Sequence, residues 1–124
     1  MAKVKFRTPL GVMKKWLSDL RSGKFTQAQG CLRECYWDAS EPMVAFCCLG
    51  VLQDIAVRDG GPAWDAPNGP DGGSGIPLAQ ISEYLGLTEN MTSKLIEMND
   101  DDGKDFNQIA DYIEFTIMPE LNLK

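Results

Sequence analysis

The chain of 124 residues contains no histidine. That absence removes the Ser-His-Asp triad, the Cys-His pair, the imidazole general base and every His-ligated metal centre. Neither G-x-x-x-x-G-K-[ST] nor G-x-G-x-x-G occurs, so the familiar backbone cradles for phosphate are missing too. No apolar run reaches the roughly 18 residues of a membrane span, and Met1-Ala2-Lys3-Val4-Lys5-Phe6-Arg7 lacks the apolar stretch of a secretory signal. The expectation is a cytoplasmic protein with no membrane partner. In that compartment Cys31, Cys35, Cys47 and Cys48 are expected as free thiols rather than as two disulfides.

What is present is ordinary globular usage, 44% hydrophobic and 24% charged residues, at the length of a single domain over residues 1–124. The charge is unevenly placed. Residues 1–40 hold eight Lys/Arg against three acids, net +5, and residues 41–124 hold four against fifteen, net −11, which together give −6. A basic head of this kind either contacts phosphate or packs beside the acidic remainder and is neutralised there; the second is the simpler reading.

Periodicity predicts a mainly α fold of about five helices around a buried central helix. Thr8-Pro9 reads as an N-cap with Pro in the first turn, and Leu10, Met13, Trp16, Leu17 and Leu20 recur at helical spacing up to Gly23. Lys14, Lys15, Ser18 and Asp19 fall on the opposite, solvated side. Residues 24–38 lose the helical period, leaving room for a short antiparallel hairpin that would make the fold α+β. Ser40-Glu41-Pro42 then reads as a helix start, and Met43 to Arg58, apolar nearly all round, as the central helix, with Cys47 and Gly50 small enough to admit a close neighbour.

Residues 59–75 hold six Gly and three Pro with Trp64 alone among them, a long loop that is either a functional lid or a tolerated insertion. Ile76-Pro77 opens a helix ending at Gly86, and a second runs from about Thr88 to Met98. Asp105 and Gln108 form a D-x-x-Q capping box for a last helix with Phe106, Ile109, Ala110, Ile113 and Ile117 on its core side and Pro119 at its end.

Candidate chemistry is sparse. Structural zinc prefers C-x-x-C pairs, whereas these cysteines are spaced C-x-x-x-C and side by side, so Cys47 and Cys48 read as small core residues. Asn99-Asp100-Asp101-Asp102-Gly103 has the composition of a calcium loop, but counting back from Gly103 puts Met98 at the first ligand position. Neither a metal nor a cofactor is expected. Residues 78–95 have the layout of a helix-turn-helix, with Gly86 at the turn. Thr92 occupies the slot for a branched apolar residue, and residues 76–98 carry three Glu against one Lys, so DNA is a disfavoured partner.

The string Phe46-Cys47-Cys48-Leu49-Gly50-Val51-Leu52 is preceded by Trp16, Ser22-Gly23-Lys24-Phe25, Gln27, Gly30 and Leu32-Arg33. It is followed by Ile76-Pro77, Leu85-Gly86-Leu87, Asn99-Asp100 and Phe106-x-x-Ile109-Ala110-Asp111. Over about residues 16–114 this resembles a family of small uncharacterised tailed-bacteriophage proteins, whose members often carry another Cys where this chain has Gln53. The resemblance implies a phage origin and the cytoplasm of an infected bacterium, and it implies no reaction.

Three functions are compatible with these residues. A non-enzymatic accessory protein would bind a host protein through its acidic region, Asp100, Asp101 and Asp102 included, as an inhibitor or anti-defence factor. A nucleotide-signal sponge would grip phosphate with Lys24, Gln27 and Arg33 and stack a base on Trp64. A DNA-binding regulator would use residues 78–95. No pair of acids is placed to nominate carboxylate catalysis, so an enzyme is not expected.

Overall fold

The computed structural model describes residues 8–29, 33–58 and 78–121. The Gly/Pro-rich loop lies outside them, so the expectation for it has no counterpart here. The described fold is mainly helical, with a small three-stranded sheet: α1 (Pro9–Arg21), β1 (Thr26–Gln27), β2 (Arg33–Asp38), β3 (Glu41–Phe46), α2 (Cys48–Arg58), α3 (Leu78–Leu85), α4 (Glu89–Asp100) and α5 (Phe106–Tyr112). None of these helices is long and apolar enough to cross a membrane.

Helix α1 begins as its sequence directs. The Thr8 hydroxyl accepts from the Gly11 N–H at 3.0 Å, and Pro9 occupies a position where an N–H would have no helical partner. Its inner face carries Met13 and Trp16, both fully buried, and the Trp16 indole N–H donates to the Cys48 carbonyl at 2.8 Å, tying α1 to the start of α2. Helix α2 packs on α1, α3, α4 and β3, and α1 packs on α2, α3 and α5, so two helices share the central place expected for one.

The central helix is shorter than its apolar run. It starts at Cys48, and residues 41–46 form a strand instead. A run that is buried in either form carries no period that separates them. What decides is the turn before it: Ala39 and Ser40 both have positive φ, 49° and 70°, the backbone of a two-residue hairpin whose twist matches that of its strands. Strands β2 and β3 pair antiparallel from Arg33↔Phe46 to Asp38↔Glu41. The antiparallel hairpin thus spans 33–46 rather than 24–38, and β1 pairs parallel with the far end of β3, Thr26↔Ala45 and Gln27↔Phe46, giving the order β1-β3-β2.

Past Gly86, whose φ of +82° suits a residue without a side chain, the Leu87 N–H reaches the Ser82 carbonyl at 2.8 Å and the Gly86 N–H that of Glu83 at 3.2 Å. This double closure ends α3 and turns the chain into α4, where Thr88 caps the Met91 N–H. The expected box opens α5: Asp105 accepts from the Gln108 N–H at 2.8 Å, and Gln108 accepts from the Asp105 N–H at 3.0 Å. Phe106, Ile109, Ala110, Ile113 and Ile117 are all buried. A wide π turn over Ile113–Ile117 continues α5 and leaves Phe115 exposed, and a 3-10 turn, Met118–Glu120, takes up Pro119.

Candidate functional site

The two ends of β3 are built differently. At its C-terminal end the sheet meets α4 and the start of α2, and Asn99, completely buried, joins them. Its Oδ1 accepts from Gln27 Nε2 at 2.9 Å and from the Cys48 N–H at 3.2 Å; its Nδ2 donates to the Ala28 carbonyl at 2.7 Å and to Asp100 Oδ1 at 2.8 Å. A carboxamide has two donor hydrogens and two acceptor lone pairs, and all four are used. The bond to Cys48 also satisfies one of the N–H groups that a buried helix start would otherwise leave without a partner.

Cys47 helps at the same helix start: its sulfur accepts from the Gly50 N–H at 3.3 Å, and its carbonyl accepts from the Val51 N–H. The spacing of Cys47 and Gly50 thus serves a local cap. Cys48 is fully buried, with its thiol 3.7 Å from the Leu95 carbonyl. Burial first, then the neighbouring Cys47, pushes the Cys48 thiol well above its ordinary range, so it is no nucleophile at neutral pH. Cys31 and the side chain of Cys35 lie outside the described residues, among which no three Cys, Asp or Glu side chains gather to hold a metal.

Of the expected phosphate grip, only the side chains of Lys24 and Gln27 are among those described. Gln27 spends its amide nitrogen on Asn99 and on the Lys104 carbonyl at 2.8 Å. Lys24 is exposed in the bend after α1; Trp64 and the side chain of Arg33 lie outside the described residues. Asp19, expected on the solvated face of α1, is instead buried 6% exposed: Arg58 donates to it at 2.5 Å and Lys15 Nζ lies 3.2 Å away. Arg58 also binds Asp54 at 2.9 Å and lies over the Phe25 ring. Desolvation lowers the Arg58 pKa, but Asp19 and Asp54 together outweigh it and raise it on balance. Arg21 bridges to Asp111 and Glu114, both at 2.8 Å, which ties the last turn of α1 to the acidic part of the chain.

Asp100, Asp101 and Asp102 close α4. The N–H groups of Asp101 and Asp102 both reach the Glu97 carbonyl, and Lys104 N–H reaches that of Met98 across Gly103, whose φ is +67°. Acids at a helix C-terminus face the negative end of its dipole, an unfavourable placement of about 0.3–1 kcal/mol each at low salt. Helix α3 turns into α4 at Gly86, with Ile81, Leu85, Leu87 and Leu95 buried. The exposed face of α4 presents Glu89, Asn90, Ser93, Lys94 and Glu97, two acids against one cation, which disfavours phosphate.

The other end of β3 is the hairpin tip. Asp38 and Glu41 hold the register position that flanks the turn. Ala39 and Ser40 take left-handed backbone without being Gly or Asn, at about 1–2 kcal/mol per residue. Trp37, next along β2, is 74% exposed. No reading of the sequence singled out this tip; an Asn-Gly turn would have marked it, and Ala39-Ser40 does not.

The model of one family matches residues 10–72, just over half of the chain, a stretch that includes α1, the whole sheet and α2. The chain belongs to the family described as Domain of unknown function (DUF8296). Both the hairpin tip and the start of α2 lie within the DUF8296 match, whereas α3, α4 and α5 lie beyond it. No curated protein and no solved structure matches the chain.

Proposed function

We propose that this chain is a non-enzymatic bacteriophage accessory protein that acts in the cytoplasm of an infected bacterium by binding a host protein. The observation that carries this reading is how charge is spent. Lys15, Arg21, Arg58 and Lys94 lie within ion-pair distance of acids, while Glu83, Glu89, Asp101, Asp102, Asp105 and Glu120 stand exposed. Exposed acids outnumber the exposed cations, Lys14, Lys24, Lys94 and Lys104 among them, within the described residues, and an acidic surface steers a cationic partner and disfavours nucleic acid. Asp101 and Asp102 stand exposed past the last turn of α4, where its dipole disfavours acids. The phage assignment rests on the resemblance carried by Phe46 to Leu52.

The test is capture from host lysate at low salt and again near 1 M, where the screening length falls to about 3 Å. A partner held at low salt and released at high salt is the expected result; no salt-sensitive partner overturns the reading.

A further inference from the structure

The turn between α4 and α5 leaves one backbone amide out of its closure. The N–H groups of Asp101 and Asp102 donate to the Glu97 carbonyl at 2.8 and 2.9 Å, and the Lys104 N–H donates to that of Met98 at 3.0 Å. The Gly103 N–H between them has no hydrogen-bond partner among the described residues. A continuing helix would send it to the Asn99 carbonyl, which accepts from Gln29 Nε2 at 3.2 Å instead. Gly103 holds a φ of +67°, and no atom lies within 4 Å of the place where a Cβ would stand, so this amide sits in open space. Asp102, just before it, is exposed, and its carboxyl has no partner among the described residues.

No other aspartate whose side chain is described combines these features. Asp100 and Asp101 are each followed by an amide bonded to Glu97, and Asp100 Oδ1 also accepts from Asn99. Asp19, Asp54 and Asp111 lie inside helices and are ion-paired with arginine. Asp105 is held by the Gln108 N–H and followed by the bulk of Phe106.

We propose that Asp102-Gly103 is a self-modification site, at which the folded chain converts aspartate to isoaspartate through a cyclic imide and so loosens the contact between this turn and the sheet. The Gly103 nitrogen attacks Cγ of the neutral Asp102 carboxyl. The N–Cγ bond forms, the Cγ–OH bond breaks, and the hydroxyl leaves with the amide proton as water. A water then adds to the main-chain carbonyl carbon of Asp102, and the bond from that carbon to nitrogen breaks. One water is lost and one gained, nothing is oxidised or reduced, and the main chain now runs through Cβ and Cγ. Glycine leaves its nitrogen unshielded, and an amide without a hydrogen bond gives up none in the attack. The added carbon falls between the bond from Asp102 to Glu97 and the bond from Lys104 to Met98. The Lys104 carbonyl accepts from Gln27 Nε2 at 2.8 Å, and the same nitrogen donates to Asn99, so the lengthened link pulls on the end of the sheet.

The test holds the full chain folded, and in parallel unfolded in urea, at mildly acidic pH, where part of the carboxyl is neutral. Peptide mapping with electron-transfer fragmentation, which separates isoaspartate from aspartate, gives a rate at each position. Dividing the folded rate by the unfolded rate cancels the effect of the following residue and leaves that of the fold. The expected ratio at Asp102 exceeds those at Asp100 and Asp101 by about fivefold or more, the rate factor of one net hydrogen bond. Asp102→Glu, which would have to close a larger ring, should form no isomer there and keep the Lys104 amide protected from exchange, whereas the isomerised wild type should lose that protection. A ratio at Asp102 no higher than those at Asp100 and Asp101, or no isomer at Asp102 in the folded chain, overturns the site. Unchanged Lys104 exchange in the isomerised chain overturns its link to the sheet.

Discussion

One strand, β3, ends in two opposite ways. At Ala45 and Phe46 it is flanked on both sides, and the adjoining Asn99 has every donor and acceptor of its side chain matched inside the protein. At Glu41 it follows a turn with two strained non-glycine residues, close to an exposed tryptophan. The first end is what selection for stability alone would build, because a buried polar network is worth keeping only when complete. The second holds several small costs together in one exposed place, and such costs persist where something other than stability is served.

The contrast is broken most directly at its stable end. Asn99→Leu should lower unfolding free energy by about 2–4 kcal/mol, because it leaves the Cys48 N–H and the Ala28 carbonyl buried without this partner, each a loss of about 1–3 kcal/mol. Urea unfolding followed by circular dichroism measures it. A loss under about 0.5 kcal/mol, the range of an ordinary surface change, would show that the knot is not what closes this end.

The same end carries a pH dependence. The Cys48 pKa is raised in the folded state, so its contribution is fully present below the ordinary thiol range and is lost as pH rises through it, because the unfolded chain then releases a proton that the folded chain keeps. Stability should fall by up to about 1.4 kcal/mol per pH unit above about pH 8.5 on account of this one group. Cys48→Ala should remove that part of the slope, read from urea midpoints between about pH 7 and pH 10. An unchanged slope would separate the thiol from the effect.

At the strained end the sign reverses. Ala39→Asn with Ser40→Gly supplies the residues that left-handed turn positions prefer and should raise stability by about 1 kcal/mol, seen as a higher melting temperature. A decrease would mean that the Ala39-Ser40 backbone is not under strain.

How much of this was legible in the sequence follows the same division. The Thr8-Pro9 start, the Gly86 turn and the Asp105-Gln108 box each act through residues within a few positions of one another, and all three stand where the sequence puts them. Strand β3 was read as helix because Met43 to Phe46 is apolar without a period, and Pro42 fits a first helical turn as well as an unpaired strand position. Asn99 reads as a turn residue because the bonds that define its role, those to Gln27 and Ala28, join positions about seventy residues apart. Asp19 looked solvated because its partner Arg58 is on another helix. Local chemistry is written locally; a polar contact across the core is not.

Trp37→Ala should have the smallest effect of all on the free protein. Burying an aromatic side chain stabilises by roughly 1.5–3 kcal/mol, but Trp37 keeps 74% of its surface in water, so its loss should shift stability by no more than about 0.5 kcal/mol. Trp16, fully buried and bonded to Cys48, is the internal control, and Trp16→Ala belongs in the range of about 3–5 kcal/mol that large aromatic-to-alanine changes cost in cores. Equilibrium unfolding of the two variants side by side measures the difference. If Trp37→Ala costs as much as Trp16→Ala, the indole is packed in solution, and the tip belongs with the stable end of the strand; if it costs nothing, an exposed tryptophan beside a strained, acidic turn is a surface that folding does not require.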